Sequence, residues 1–308
     1  DGTARFPAAH RRWALSPVPS TRIVLALALA AVVLVPVRPA IASELVVSIL
    51  PLRDLVAELA GTDDVDVLVG AGATPALYEP TARQLSELRR AQALFVVGVP
   101  FETTFLPRVR RSMPELRIVD AAAGIERREL PEVAGHHGHD HAHDLDPHVW
   151  TDPRLVLHMI DTIATALVEL DPSTADAVEA RRQDLRARWS ALDRELETAL
   201  ADVRPRVIAV FHPAFGYFAA RYGFEQLAVE SGGTDAGPRH LVGLAEQLRA
   251  HEVERLFVQP QFSPQRARSL ASTLGVEVFE IDPLAPDVAR MLRDLAAALG
   301  GSVAGAKR

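Results

Sequence analysis

Three residues combine a cation-binding side chain with a position where ligands collect. His148 lies in Asp146-Pro147-His148-Val149-Trp150, His212 in Phe211-His212-Pro213-Ala214-Phe215, and Asp282 in Ile281-Asp282-Pro283. His212 and Asp282 each follow a run with strand character, 207–211 and 276–281. Ligands of open α/β sheets gather outside the carboxyl ends of the strands, so both side chains aim at one crevice, and His148 can meet them from the other half of the chain. Two neutral imidazoles and a carboxylate suit Zn²⁺, with donors about 2.0–2.2 Å away. Manganese tolerates the same set but usually prefers more oxygen. Each residue also has a plain reading: a strand-end His as a hydrogen-bonded turn residue, an Asp before Pro as a turn or cap.

A second cluster tilts the balance towards metal. Residues 135–144 pack His136, His137, His139, His141 and His143 among Gly and Asp with no apolar period. No core uses so many imidazoles, so this is an exposed loop suited to auxiliary metal handling, with a solvated tract as the alternative. His158, His240 and His251 show no partner pattern and read as ordinary surface or packing residues.

The elements that must position these groups follow from periodicity. Segments 45–50, 65–69, 94–97 and 117–119 read as strands, with helices at 52–60 and 82–92. The second half repeats the scheme: strands at 207–211, 226–229, 256–258 and 276–281, helices at 214–222, 241–250, 264–274 and 286–299. Alternation of this kind makes parallel strands with helical crossovers. The expected fold is therefore α/β: two lobes, 43–171 and 204–300, each with a mostly parallel sheet flanked by helices, and a tail at 301–308. Between them, Asp171-Pro172 starts a helical pattern to 203, with Leu185, Trp189, Leu192, Leu196, Leu200 and Val203 on one stripe. A helix of about 30 residues, roughly 45 Å long, would brace both lobes and leave little room for wide hinge closure.

Composition bounds the setting. The chain has 308 residues, 48% of them apolar, enough for two compact units. Arg11, Arg12 and Arg22 precede an apolar run at 23–35, and Ala40-Ile41-Ala42 follows. These are the parts of a secretory signal peptide, residues 1–42, cleaved after Ala42, and the run is shorter than the roughly 20 residues of a membrane span. The sequence contains no Cys, so the expected product is a soluble periplasmic protein without a thiolate site or a lipid anchor on Cys. Net charge is −7, and the leader holds five Arg against Asp1, leaving −11 on the remainder. So acidic a protein is a poor partner for nucleic acid and suits a cation carrier, read as a monomer.

From 45 to about 299 the chain resembles the zinc and manganese substrate-binding proteins of bacterial ABC importers, most closely the periplasmic zinc-uptake branch. The resemblance rests on residues 72–81 (GATPALYEPT), the His-rich loop, 146–153 (DPHVWTDP), 211–218 (FHPAFGYF), 260–264 (PQFSP) and 282–284 (DPL). It implies two α/β lobes joined by one long helix, metal between them, and ligand roles for His148, His212 and Asp282. It also exposes a departure: where the family has its first His ligand, this chain has Ala76. A water or a loop His is then expected at the fourth position, with loss of tight binding as the alternative.

The implied function is delivery of zinc to an ABC importer permease, with a periplasmic metallochaperone as a further partner and no catalysis. An exported zinc hydrolase is the first alternative, because three ligands and an open position resemble a catalytic site, but the sequence has no H-E-x-x-H. A metal-binding adhesin or a metallochaperone serving another acceptor is the second.

Overall fold

The computed structural model describes residues 45–130, 145–230 and 238–303, besides Gly2. The signal-peptide segment and the five loop histidines lie outside the described residues. The order is β1 (Leu45–Ile49), α1 (Leu50–Ala60), β2 (Val65–Val69), α2 (Ala82–Leu88), β3 (Ala93–Val96), α3 (Pro100–Ser112), β4 (Arg117–Asp120), α4 (Pro153–Leu170) and α5 (Ala175–Leu200). Then come β5 (Val207–Val210), α6 (Gly216–Tyr222), β6 (Glu225–Ala228), α7 (Pro238–Ala250), β7 (Arg255–Val258), α8 (Pro264–Leu274), β8 (Glu277–Glu280) and α9 (Val288–Ala298).

Two four-stranded parallel sheets result, ordered β2-β1-β3-β4 and β6-β5-β7-β8. The order follows from burial. β1, β3 and β5 are buried at every position and read as unbroken apolar runs apart from Ser48, because helices cover both faces of a central parallel strand. β2, β4, β6 and β8 carry charge, as in Val-Asp-Val-Leu-Val and Glu-Val-Phe-Glu, and lie at the edges.

The expected long helix is shorter than its pattern. Asp171 accepts a hydrogen bond from Ser173 N at 3.0 Å and caps a 3₁₀ turn, Pro172–Thr174, before α5 starts at Ala175. The 26 residues of α5 span roughly 39 Å. Leu185, Trp189, Leu192, Leu196 and Leu200 are buried along one stripe as expected. This stripe packs on α1 and α4 of the first lobe and on α9, the last helix among the described residues. Gly61, at φ 73°, ends α1 in a conformation that favours glycine, and Arg181 of α5 donates to the carbonyls of Leu59 and Ala60 there.

The second sheet divides its residues between two cores. Ile208 and Val210 join a core that runs without a break into the first lobe, through α4, α5, α6 and α9; Ala209 and Phe211 face a separate core with α7 and α8. Alternation along one strand thus ties the lobes into a single body, and residues 41–308 cluster as one compact unit. Three helices of the first lobe differ from the sequence expectation, which sets no bounds for α4 (Pro153–Leu170). α2 stops at Leu88 because residues 89–92 must turn into β3, and α3 occupies 100–112, where Pro107 inside the helix obscures the helical pattern.

Candidate metal centre

His148 is held by its own turn. Asp146, 2% exposed, accepts the His148 backbone N–H at 2.9 Å and meets Nδ1 at 2.7 Å through the same oxygen. A carboxylate only accepts, so Nδ1 carries the proton and Nε2 presents its lone pair. Burial lowers the pKa of the imidazole, and Asp146 opposes that shift without reversing it, so the ring is neutral, as metal ligation requires. Thr151 donates to the His148 carbonyl at 2.8 Å, and the Trp150 indole N–H donates to Pro283 O at 2.7 Å. The first-lobe turn is thereby pinned beside Asp282.

His212 lies two residues past the end of β5, and its neighbours follow from register. β5 and β6 pair at an offset of 18 residues, Val207 with Glu225 and Val210 with Ala228; β5 and β7 pair at an offset of 47, Ala209 with Leu256. Extended past the strand ends, these offsets set His212 between Glu230 and Gln259. The structure shows both contacts. Glu230, 5% exposed, pairs with His212 Nδ1, while Gln259 accepts the His212 N–H at 3.4 Å and donates to its carbonyl at 3.1 Å. Glu230 therefore does for His212 what Asp146 does for His148.

The two imidazoles meet edge to face, with ring centroids 5.3 Å apart and planes at 74°. Trp150 lies against His148 at 5.2 Å and Phe262 against His212 at 6.2 Å, forming an aromatic wall around the pair. Asp282 sits at the same carboxyl edge, where one carboxylate oxygen accepts from Leu284 N at 2.9 Å and Gln261 Nε2 at 3.0 Å. β7 separates β8 from β5, a lateral distance of about 10 Å between the strands that carry Asp282 and His212. Among the described residues no group of three His, Cys, Asp or Glu side chains is close enough to hold an ion together. The structure thus brings His148 and His212 together and leaves Asp282 outside a closed three-donor group.

Ala76 is exposed in the loop after β2, whose Pro75 carbonyl accepts Phe101 N at 3.2 Å. His158 Nε2 meets Ala123 O at 2.7 Å and His240 Nε2 meets Ala228 O at 3.1 Å, which are ordinary backbone hydrogen bonds.

The carboxylates behind the two rings are the residues that sequence reading did not single out. Asp146 had a local signal, an acidic residue two positions before a His. The signal for Glu230 was the 18-residue strand offset, which no short motif contains. A ligating His whose second nitrogen loses its carboxylate typically binds metal 10–100-fold more weakly. Glu230→Gln is accordingly expected to weaken zinc binding about tenfold or more while leaving the circular dichroism spectrum intact. An affinity unchanged in a competition titration would rule out this orienting role.

Residues 45–299 match the family described as zinc-uptake complex component A, periplasmic. The high-affinity zinc uptake system protein ZnuA of Bacillus subtilis (strain 168) is 27% identical over 229 residues, covering 72% of this chain and 72% of that protein. The zinc-binding lipoprotein AdcA of Streptococcus pneumoniae serotype 4 is 26% identical over 249 residues, covering 78% of this chain and 50% of its own length, so the chain spans about half of the AdcA relatives it matches. A crystal structure of ZnuA superposes with a TM-score of 0.74 at 31% identity, over 83% of this chain and 98% of that one. Among the described residues no helix is long and apolar enough to cross a membrane. With two parallel-sheet lobes around a carboxylate-backed histidine pair and a match over the whole of that fold, this chain belongs to the periplasmic zinc-uptake component A family.

Proposed function

We propose that the protein binds Zn²⁺ between its lobes and delivers it to the permease of an ABC importer. The observation that carries this reading is the histidine pair: two rings 5.3 Å apart, each with Nδ1 occupied by a buried carboxylate and Nε2 left as the donor. Neutral nitrogen donors favour zinc over manganese, which prefers oxygen. His148 and His212 supply the first two bonds and the Asp282 carboxylate the third. That third bond requires Asp282 to close in across β7 when metal binds, a movement of a loop rather than of a lobe. Ala76 cannot coordinate, so a water or one of His136, His137, His139, His141 and His143 completes the four donors that zinc takes.

The protein acts in the periplasm after cleavage of residues 1–42, as a soluble monomer that binds metal and catalyses nothing. The importer permease is its partner, and a periplasmic metallochaperone is a further candidate source of metal. Calorimetric titration of the mature protein with Zn²⁺ tests the reading: a saturable tight site supports it, and no binding at micromolar zinc refutes it. Deleting 136–143 is expected to remove additional weaker sites, lowering the zinc stoichiometry towards one. Unchanged stoichiometry would contradict the auxiliary role of the loop.

A further inference from the structure

One joint between the lobes lies directly behind the histidine pair. α6 begins four residues after His212, and its first two residues press on Asp146 from the second lobe. The Tyr217 hydroxyl, buried with its ring, donates to the Asp146 carbonyl at 2.9 Å and accepts the Arg128 N–H at 3.0 Å. Gly216 comes so close to the Asp146 side chain that a Cβ built on it would stand 2.9 Å from Oδ2. The other oxygen of that carboxylate is the one that holds His148 Nδ1 and N. Asp146 N in turn donates to Arg128 O at 2.7 Å, so the Asp146 backbone is held on both sides.

The chain of contact therefore runs from α6 through Asp146 to the His148 ring, while the other end of the same short segment carries His212. We infer that Tyr217 is a positioning residue that sets the separation of the two imidazoles and thereby the preference of the site for Zn²⁺ over larger ions. The inference rests on the metal-binding reading above. Zinc takes nitrogen donors at about 2.0–2.1 Å in a tetrahedron, so a small shift of one ring costs it more than it costs an ion with longer, more adaptable bonds. No other described tyrosine hydroxyl on α6 reaches this turn: Tyr222 donates instead to Asp193 at 3.1 Å.

The test uses the mature wild-type protein, Tyr217→Phe, Gly216→Ala and Tyr222→Phe, each titrated with Zn²⁺ and with Mn²⁺ and loaded with Co²⁺ for visible spectroscopy. Tyr217→Phe is expected to lose about tenfold in zinc affinity, the scale of an outer-shell change, with little change for manganese, and to weaken the tetrahedral Co²⁺ bands. Gly216→Ala, which displaces the same carboxylate from the other side, should narrow the Zn²⁺/Mn²⁺ ratio in the same direction. Tyr222→Phe removes a buried hydroxyl from the same helix and should keep the wild-type ratio. A wild-type ratio and Co²⁺ spectrum in Tyr217→Phe, or equal narrowing in Tyr222→Phe, overturns the inference while the metal-binding reading stands. Wild-type protein that binds no zinc overturns that reading and the inference with it.

Discussion

Replacing His212 by Ala is expected to abolish the tight zinc site, lowering affinity by on the order of 10²–10³. Structural zinc sites with four ligands are worth roughly 10–16 kcal/mol in all, so each donor carries about 2.5–4 kcal/mol, and every 1.4 kcal/mol is tenfold. Ala at 212 also leaves the buried Glu230 carboxylate without its partner, a cost carried by the fold whether or not metal is bound. His148→Ala should lose a similar amount of affinity, although Asp146 keeps the backbone N–H of residue 148 as a donor. Loss of a buried partner lowers the melting temperature of the metal-free His212→Ala protein, so the calorimetric titration is run well below that melt to separate lost binding from lost folding. Retained tight binding in both variants would move the site elsewhere in the chain.

The second large effect concerns the brace between the lobes. Asp193 of α5, 6% exposed, accepts hydrogen bonds from Arg154 of α4 at 3.0 Å, from two nitrogens of Arg221 of α6 at 2.9 and 2.8 Å, and from the Tyr222 hydroxyl at 3.1 Å. One carboxylate on the long helix thus binds the first lobe to the second. Asp193→Ala leaves the Arg221 guanidinium mostly buried, with Glu197 at 3.6 Å as its remaining acid. Breaking one side of a buried pair costs about 3–5 kcal/mol, and the exposure of Arg154 and the survival of Glu197 place this case near 3 kcal/mol. Thermal unfolding at pH 7 should register a fall of several degrees.

The same carboxylate gives that loss a pH signature. Burial raises the Asp193 pKa, but hydrogen bonds from Arg221 and Arg154 outweigh it and hold the group below its usual value of 3.8. A lowered folded-state pKa contributes stability that is complete above the unfolded value and is lost as pH falls through the folded one. Wild type and Asp193→Ala should therefore differ fully at pH 5–7, and the difference should shrink as pH falls below about 4 and Asp193 takes up its proton. A constant difference down to pH 2 would assign the effect to packing instead of charge.

Much of the fold was legible because parallel strands buried on both faces announce themselves. Leu45-Val46-Val47 and Val207-Ile208-Ala209-Val210 have no other reading in a chain with helical segments between them. The stripe on α5 was equally plain, although its first turn is 3₁₀, since the Asp171-Pro172 signal marks the start of a helical stretch and not its type. α3 was hidden by Pro107, whose local meaning is a helix break and whose ring the surrounding helix nevertheless accommodates.

For the site, the sequence by itself determined which residues are proposed as donors: two histidines and an aspartate at ends of apolar or strand-like runs, backed by a family pattern, with Ala76 as the one position out of line. Side-chain type and strand position are local properties, so they survive reading in one dimension. Only the tertiary structure decided that His148 and His212 touch, that Glu230 and Gln259 flank His212, that Asp282 stands two strands away, and that Tyr217 closes the joint behind Asp146. Those facts depend on strand order, on offsets of 18 and 47 residues, and on one lobe docking against the other. Each is a sum of many weak packing choices across the whole chain, and no short stretch of residues encodes it.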